Sequence, residues 1–462
     1  MKKKVEKNLG EFEAVCEDYS YDGKGVTHYQ GKVVFVNGFF LNEKAIIRLT
    51  YERSEFYIGK IVKLLSKSPS RIEPKCKVCT TCGGCAFQQL DYVAQLDFKT
   101  HKVEEAFRKI GNMKVKVLPC LGMENPYYYR NKIQMPVGLS QTGRIITGFY
   151  KEKTHEIVPI ETCYIENERA EEVLKTIREL MKKFKILPYD EDARKGIIRH
   201  ILIRTSKEKK QLMVVLVTAQ DVFGGRGEFI KALHLACPSI TTIVQNINTR
   251  DTNVILGEKE RILFGKGYIE DALCGVWFQI SSKSFYQVNP VQTEVLYQTA
   301  IQFAGLSKKE IVLDCYCGIG TIGLIAARHA KQVIGIEIVK EAISDAKKNA
   351  IRNNIQNENF YVGDASEWIV NYAKNKGKVD VLFMDPPRKG SDEKFLSSVL
   401  TLKPRKVVYV SCDPSTLARD VKYLSSHYQI EKIQPVDMFP MTYHVETVVL
   451  LRTKISDPTD EE

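Results

Sequence analysis

No stretch of the sequence runs unbroken through the roughly 18 apolar residues that a membrane span needs, so no membrane helix is expected. The opening MKKKVEKNLGEFEAV turns to Glu and Gly where a signal peptide would become apolar, which leads to the expectation of a soluble cytoplasmic protein. Internal repeats and low-complexity segments are absent too, so neither a solenoid nor a disordered scaffold is expected. What is present, 44% hydrophobic and 27% charged residues over 462 positions, describes an ordinary globular chain. At roughly 100–200 residues per domain it has room for two to four of them. Lys and Arg outnumber Asp and Glu by 68 to 56, a net charge of +12. That excess suits a chain that approaches phosphates but does not require one. Four of the 12 cysteines fall together as Cys76, Cys79, Cys82 and Cys85. In a reducing compartment such a group reads as metal or iron–sulfur ligands rather than disulfides.

Residues 1–66 read as short β-branched and aromatic strands separated by DGKG and NG turns, the pattern of a small OB-like barrel. Tyr19, Tyr21, His28, Tyr29 and Lys32 interleave there. They suit phosphates and stacked bases, or else a solvated barrel with tyrosines in its core. After the cysteines, DYVAQLDFKTHKVEEAFRKIG reads as an amphipathic helix of about twenty residues. Between 113 and 280, strands such as RNKIQMPVGL, HILIRTS and QLMVVLVTA alternate with helical stretches near 167–185 and 225–236, an α+β pattern. From about 281 the apolar strands IVLDCYCGIG, QVIGIEIV, VDVLFMDPP and KVVYVSCDP alternate with helices, which predicts a parallel, doubly wound sheet of Rossmann type.

The first of these strands runs into Asp314-Cys315-Tyr316-Cys317-Gly318-Ile319-Gly320 and a helix, and the second ends in Glu337. Glycines let the backbone approach a ligand, and an acid at the second strand end can accept ribose hydroxyls. The third glycine of a dinucleotide fingerprint is missing and Asp precedes the turn, which favours S-adenosylmethionine over a dinucleotide. A purely structural turn is the alternative. The third strand ends in Asp385-Pro386-Pro387-Arg388. Arg388 stands where enzymes that methylate exocyclic amines usually carry an aromatic.

Cys412 in Val410-Ser411-Cys412-Asp413-Pro414 ends a buried strand, where sites lie in open α/β sheets, so it is a candidate nucleophile. The alternative is a packed small side chain. Glu446, in His444-Val445-Glu446-Thr447, opens the apolar strand TVVLLR and is a candidate base. Carbon 5 of uracil needs both groups. A thiolate adding to carbon 6 makes carbon 5 nucleophilic, and a base must then remove the carbon 5 proton. An unperturbed thiol is little ionised at neutral pH, so a hydrogen-bonding or cationic neighbour is expected beside Cys412.

FYQVN, DCYCGIG, DPPR, SCDP and HVET, in that order, resemble the RNA (uracil-C5)-methyltransferase family, in particular its iron–sulfur-containing branch acting on 23S ribosomal RNA. The resemblance spans nearly the whole chain. It implies a TRAM barrel over 1–66 and a cluster-bearing central domain over 67–92 and 113–280. A Rossmann-like methyltransferase domain over 93–112 and 281–455 and a flexible tail over 456–462 complete the division. By the same resemblance Gln287, Tyr316, Glu337 and Asp385 bind S-adenosylmethionine, Cys412 is the nucleophile and Glu446 the base. Cys76, Cys82, Cys85 and Cys163 hold a [4Fe–4S] cluster, with Cys79 an additional cysteine inside the motif and zinc the competing metal. The implied partner is RNA, 23S ribosomal RNA first, with no membrane and a monomeric state. Two other functions compete. One is the tRNA branch, which shares Cys412 and Glu446 but usually lacks the barrel and the cysteines. The other is a non-catalytic iron–sulfur or RNA-binding protein.

Overall fold

The computed structural model describes residues 9–151, 154–252, 254–375 and 377–454, so the tail expected over 456–462 lies outside the described residues. At the N-terminus six strands form one sheet in the order Glu11–Val15, Lys44–Glu52, Phe56–Ser66, Lys32–Val36, Gly25–Tyr29, Asp18–Tyr19. Bulges interrupt the register of the long central pair between Lys44 and Ala45, Ile46 and Ile47, and Leu49 and Tyr51. Each extra residue bends and twists the strand. The sheet thus curls so that alternate residues Val34, Val36, Ala45, Ile47 and Leu49 meet in one core. Most of the interleaved aromatic and basic side chains turn out to be engaged within the protein. Tyr29 packs on Phe12 with ring centroids 4.4 Å apart, and Tyr19 meets Phe98 edge-on at 5.3 Å. His28 faces Glu17 at 2.8 Å and Lys32 faces Glu52 at 2.9 Å.

The middle of the chain builds a seven-stranded sheet with Leu212–Thr218 and Ile198–Thr205 near its centre. Both strands are buried along their whole length, and the side-chain alternation of a strand explains how. Ile201, Ile203, Val214 and Leu216 pack with the helices Arg169–Lys183 and Arg226–Ala236. The intervening Leu202, Met213 and Val215 enter the same core as Leu296, Ala300 and Val312. The central sheet and the C-terminal unit therefore share a hydrophobic core.

That C-terminal sheet has the order Glu358–Val362, Gln332–Glu337, Ile311–Cys315, Val381–Met384, Lys406–Ser411, Glu446–Thr453, Tyr428–Val436. The first five strands are parallel, while Glu446–Thr453 runs antiparallel to both of its neighbours. The helix Tyr92–Ala106 lies far upstream in the chain but packs with this unit: Val103 and Ala106 share a core with Val407, Leu417 and Ile433. Asp91 caps it by accepting the Ala94 N–H at 2.8 Å. A π-turn over Phe107–Gly111 ends it. Lys99, fully buried, forms an ion pair with the equally buried Asp437, 338 residues away. The Tyr92 hydroxyl donates to the other Asp437 oxygen at 2.9 Å, so the buried carboxylate has the partners that burial demands. Among the described residues no helix is long and apolar enough to cross a membrane.

Candidate active site

Strand direction alone gathers the site. Parallel pairing brings the ends of Ile311–Cys315, Gln332–Glu337, Val381–Met384 and Lys406–Ser411 to one edge of the sheet. That edge therefore carries Tyr316, Glu337, Asp385 and Cys412. The last strand runs the opposite way, so its first residue arrives at the same edge. Ser411 pairs with Thr447, which sets Cys412 beside Glu446. Ile311–Cys315 and Val381–Met384 are neighbours in the sheet although two strands separate them in sequence. This is the switch point outside which ligands bind in open α/β sheets.

On one side of the switch lies the glycine turn. Gly318 and Gly320 both have left-handed φ, +56° and +82°, and nothing lies within 4 Å of a Cβ built on Gly318. Tyr316 is also left-handed at φ +63°, a costly conformation for a tyrosine of the kind that clusters at functional sites. Its ring rests on Phe395 at 5.2 Å. Glu337 accepts the Gly318 N–H at 3.2 Å and the Val339 N–H at 2.9 Å, so the acid and the turn are fixed to each other. Beneath them the buried Asp314 accepts the Gly323 N–H at 2.8 Å.

Cys412, Glu446 and Asp385 form the other side. Burial raises the Glu446 carboxyl to about 8, with Asp385 raising it further and Arg388 opposing. Burial likewise raises Asp385 to about 7. The Cys412 thiol is pushed up to about 12, mainly by burial, then by the Glu446 and Asp385 charges, with Arg388 again opposing. Arg388 is thus the cationic neighbour expected for Cys412, but the two carboxylates outweigh it. In the free site at neutral pH residue 412 is therefore a thiol, and the Glu446 carboxyl beside it still holds its proton. Tyr297, completely buried, borders the same acids. Its hydroxyl lies beside Thr321 and Gln287, near Asp385 and Glu446, and its ionisation is pushed upward by burial.

The loop of Asp385 and the helix Pro414–Leu424 brace each other. The fully buried Asp420 accepts the Tyr409 hydroxyl at 2.7 Å and the Ser391 N–H at 2.8 Å. Arg419 donates to the carbonyls of Lys389 and Ser391 at 3.1 and 3.0 Å. Gln287 sits in the loop before the helix Pro290–Ala304, where its carbonyl accepts the Asn131 side chain at 3.0 Å. All six residues read from sequence as catalytic or cofactor-binding therefore lie around one sheet edge. Sequence reading missed Tyr297, which sits inside an apolar helix and carries no motif, and Asp420, whose role shows only once the loop and helix are folded together.

The cysteine segment packs against the residues that lead into Glu446, with the Ala86 and Phe87 N–H groups donating to the Met441 carbonyl. Cys76 and Cys82 lie close enough to Cys85 for their charges to act on its thiol, which burial pushes up to about 12. Cys163 is likewise influenced by Cys85 and packs with it, Met441 and Tyr129 in one apolar cluster. Cys79 faces Cys76 and Cys82. Among the described residues no group of three His, Cys, Asp or Glu side chains is placed to hold a metal ion. Neither Cys76, Cys82, Cys85 and Cys163, expected as cluster ligands, nor Cys76, Cys79, Cys82 and Cys85, considered for zinc, are gathered into such a group.

Comparison with known proteins identifies the family. Residues 91–454 match the family described as tRNA (uracil-5-)-methyltransferase. An uncharacterized RNA methyltransferase of Listeria innocua is 46% identical, over 96% of this chain and 97% of its own. One from Clostridium acetobutylicum is 43% identical, over 97% and 98%. The crystal structure of the Pyrococcus abyssi tRNA (uracil-54, C5)-methyltransferase, in complex with S-adenosyl-L-homocysteine, is 28% identical. It superposes with a TM-score of 0.76 over 95% of this chain and 99% of that one. Since that family match takes in well over half of its residues, the chain belongs to the tRNA (uracil-5-)-methyltransferase family.

Proposed function

We propose that the protein methylates carbon 5 of a uridine in RNA, with Cys412 as covalent nucleophile and Glu446 as the base that releases the product. The observation that carries this is the pairing of Ser411 with Thr447, which sets a thiol and a buried carboxylate side by side at the ligand-binding edge. The open cradle over Gly318 and the Glu337 carboxylate fit S-adenosylmethionine, and Gln287, Tyr316 and Asp385 would complete its site. When bound, that molecule supplies the methyl group. The Cys412 thiol loses its proton as sulfur bonds to carbon 6. Two carboxylates face it, so Asp385 can take that proton while Glu446 stays free for the one on carbon 5. Removal of the carbon 5 proton by Glu446 expels the sulfur and restores the ring.

Support for 23S ribosomal RNA as the substrate comes from the resemblance to the cysteine-bearing branch. A tRNA substrate is the second reading, favoured by the Pyrococcus enzyme. That enzyme is named for tRNA, yet it matches 95% of this chain. Residues 9–66 make up more than the unmatched share, so the N-terminal strands alone do not separate the two substrates. Purified enzyme given methyl-labelled cofactor and either 23S or tRNA transcripts should incorporate label as 5-methyluridine in the ribosomal RNA. Label in tRNA alone selects the second reading, and label in neither refutes methylation.

We further propose that Cys76, Cys82, Cys85 and Cys163 hold a [4Fe–4S] cluster. What supports this is the cysteine spacing, together with the packing of Cys85 and Cys163 in one cluster and the nearness of Cys76 and Cys82 to Cys85. The proposed chemistry needs no electron transfer, so the cluster's part would be to hold the segments around Cys85 and Cys163 together. Cys163→Ser is expected to lose the visible iron–sulfur absorbance of anaerobically purified protein, and Cys79→Ser to keep it. The reverse pattern would overturn this ligand set.

A further inference from the structure

The turn Ser20–Lys24 leaves the barrel and reaches the loops of both proposed catalytic residues. It is tight and internally bonded: the Gly23 N–H donates to the Ser20 carbonyl at 2.9 Å, and the Ser20 hydroxyl donates to Asp22 at 2.6 Å. Gly23 has φ +77°, and a Cβ there would lie 2.7 Å from the Phe87 ring and 3.1 Å from the Cβ of Tyr443. Only glycine fits such a seat, so the turn is locked against Tyr443, three residues before Glu446. On its other side the Tyr21 hydroxyl faces the Asp413 carboxylate and the Ser415 hydroxyl, next to Cys412. Asp413 in turn caps the following helix, accepting the N–H groups of Ser415 at 2.9 Å and Thr416 at 3.1 Å.

Lys102 ties the two contacts together. Its ammonium sits 3.8 Å from the centre of the Tyr21 ring and 5.1 Å from that of Tyr443, and donates to the Tyr443 carbonyl at 2.9 Å. A charge placed between two ring faces is held by their quadrupoles, here with the Asp413 and Asp22 charges nearby. Beside the apolar packing of Phe40, Phe87 and Phe98, this contact brings an ammonium, two phenols and a carboxylate next to the proposed nucleophile, and Tyr21 remains 44% exposed on it.

From these contacts we infer that the barrel forms part of the active-site wall, with Tyr21 and Lys102 as positioning residues that hold the Cys412 and Glu446 loops in register. The inference rests on the methylation reading above. It makes the barrel a determinant of the covalent step and not of RNA affinity alone.

The test uses full-length protein and RNA carrying 5-fluorouridine, in which the adduct accumulates. At saturating RNA, Tyr21→Ala removes the ring that holds Lys102 and should lower the rate of adduct formation about tenfold. Tyr21→Phe keeps the ring over Lys102 and should recover part of that loss, and RNA affinity should change less than about twofold. Full wild-type rates at saturation, with weakened binding, would overturn the inference. A second measurement needs no RNA: iodoacetamide labelling of Cys412, followed by peptide mapping. Tyr21→Ala should label about threefold faster as the loop of the thiol loosens, whereas Lys63→Ala, on the strand Phe56–Ser66, should label as wild type. Equal labelling of all three proteins would also overturn the inference. If wild type forms no adduct, the methylation reading fails by itself, and the labelling experiment still decides whether Tyr21 holds the loop.

Discussion

Replacing Cys412 with alanine is expected to lower uridine methylation by at least about 10⁴-fold and to abolish capture of 5-fluorouridine RNA. The size of the effect follows from what the thiol supplies. Carbon 5 of uracil is too poor a nucleophile to take a methyl group unless electrons are pushed into the ring from carbon 6, and it is Cys412 that offers a soft sulfur beside Glu446, whereas Cys315 and Cys317 at the glycine turn are buried. Asp385, Glu446 and Arg388 can move protons or stabilise charge but cannot replace that addition. RNA binding should persist, because the change removes one small, half-buried side chain that carries no charge. Serine should be nearly as inactive as alanine, since its hydroxyl is much harder to ionise and is placed among the same carboxylates. Turnover of Cys412→Ala within tenfold of wild type would end the covalent proposal.

Glu446→Gln is expected to stall after methyl transfer and accumulate a protein–RNA adduct that survives denaturation, with turnover down by about 10²–10⁴-fold. The amide fills the same volume but cannot accept the carbon 5 proton, so the sulfur cannot leave. The wild-type pH profile should carry the same signature. Burial raises Glu446 to about 8. Below that pH the carboxyl holds a proton and cannot take another, so turnover should climb as pH rises toward 8 and level off above it. The acid limb should disappear in Glu446→Gln, whose residual rate no longer waits for that group. Asp385, raised to about 7, titrates in contact with it, so the observed midpoint belongs to the pair. A flat profile between pH 6 and 8, or clean rapid turnover by the variant, would remove Glu446 from the role of base.

Much of the site could be read before folding because strand ends announce themselves. An apolar run that stops at a charged or glycine-rich turn, as at Asp314–Gly320, Asp385–Arg388 and Cys412–Pro414, states both the strand and its open end. The helices expected near 167–185 and 225–236 appear as Arg169–Lys183 and Arg226–Ala236, the first with a strongly apolar face. The helix after the cysteines was expected to run about twenty residues, but its α-geometry ends at Ala106 and a π-turn follows. The reason is tertiary: Phe107 and Gly111 fit against the helix Pro414–Leu424, where a Cβ on Gly111 would lie 3.7 Å from that of Ala418. The hairpin Tyr268–Leu273 with Val276–Ser281 was not singled out, because its alternating residues Asp271 and Gln279 break the apolar pattern. Tyr21 was legible only as one tyrosine among several in a barrel. Its contact with Asp413 spans nearly 400 positions, and no local pattern encodes a partner that distant.

The buried pair of Lys99 and Asp437 has a bearing on how the chain is made. Lys99 leaves the ribosome early, on a helix whose apolar face has no sheet to rest on, and its counter-ion is added 338 residues later. At roughly 5–20 residues per second that interval is of the order of 20–70 seconds. The nascent helix must wait through it with a lysine and several large apolar side chains uncovered. Loss of even the last two strands through premature termination would strand that cation permanently, so a shortened product should fall to aggregation or proteolysis rather than survive as a partly active enzyme.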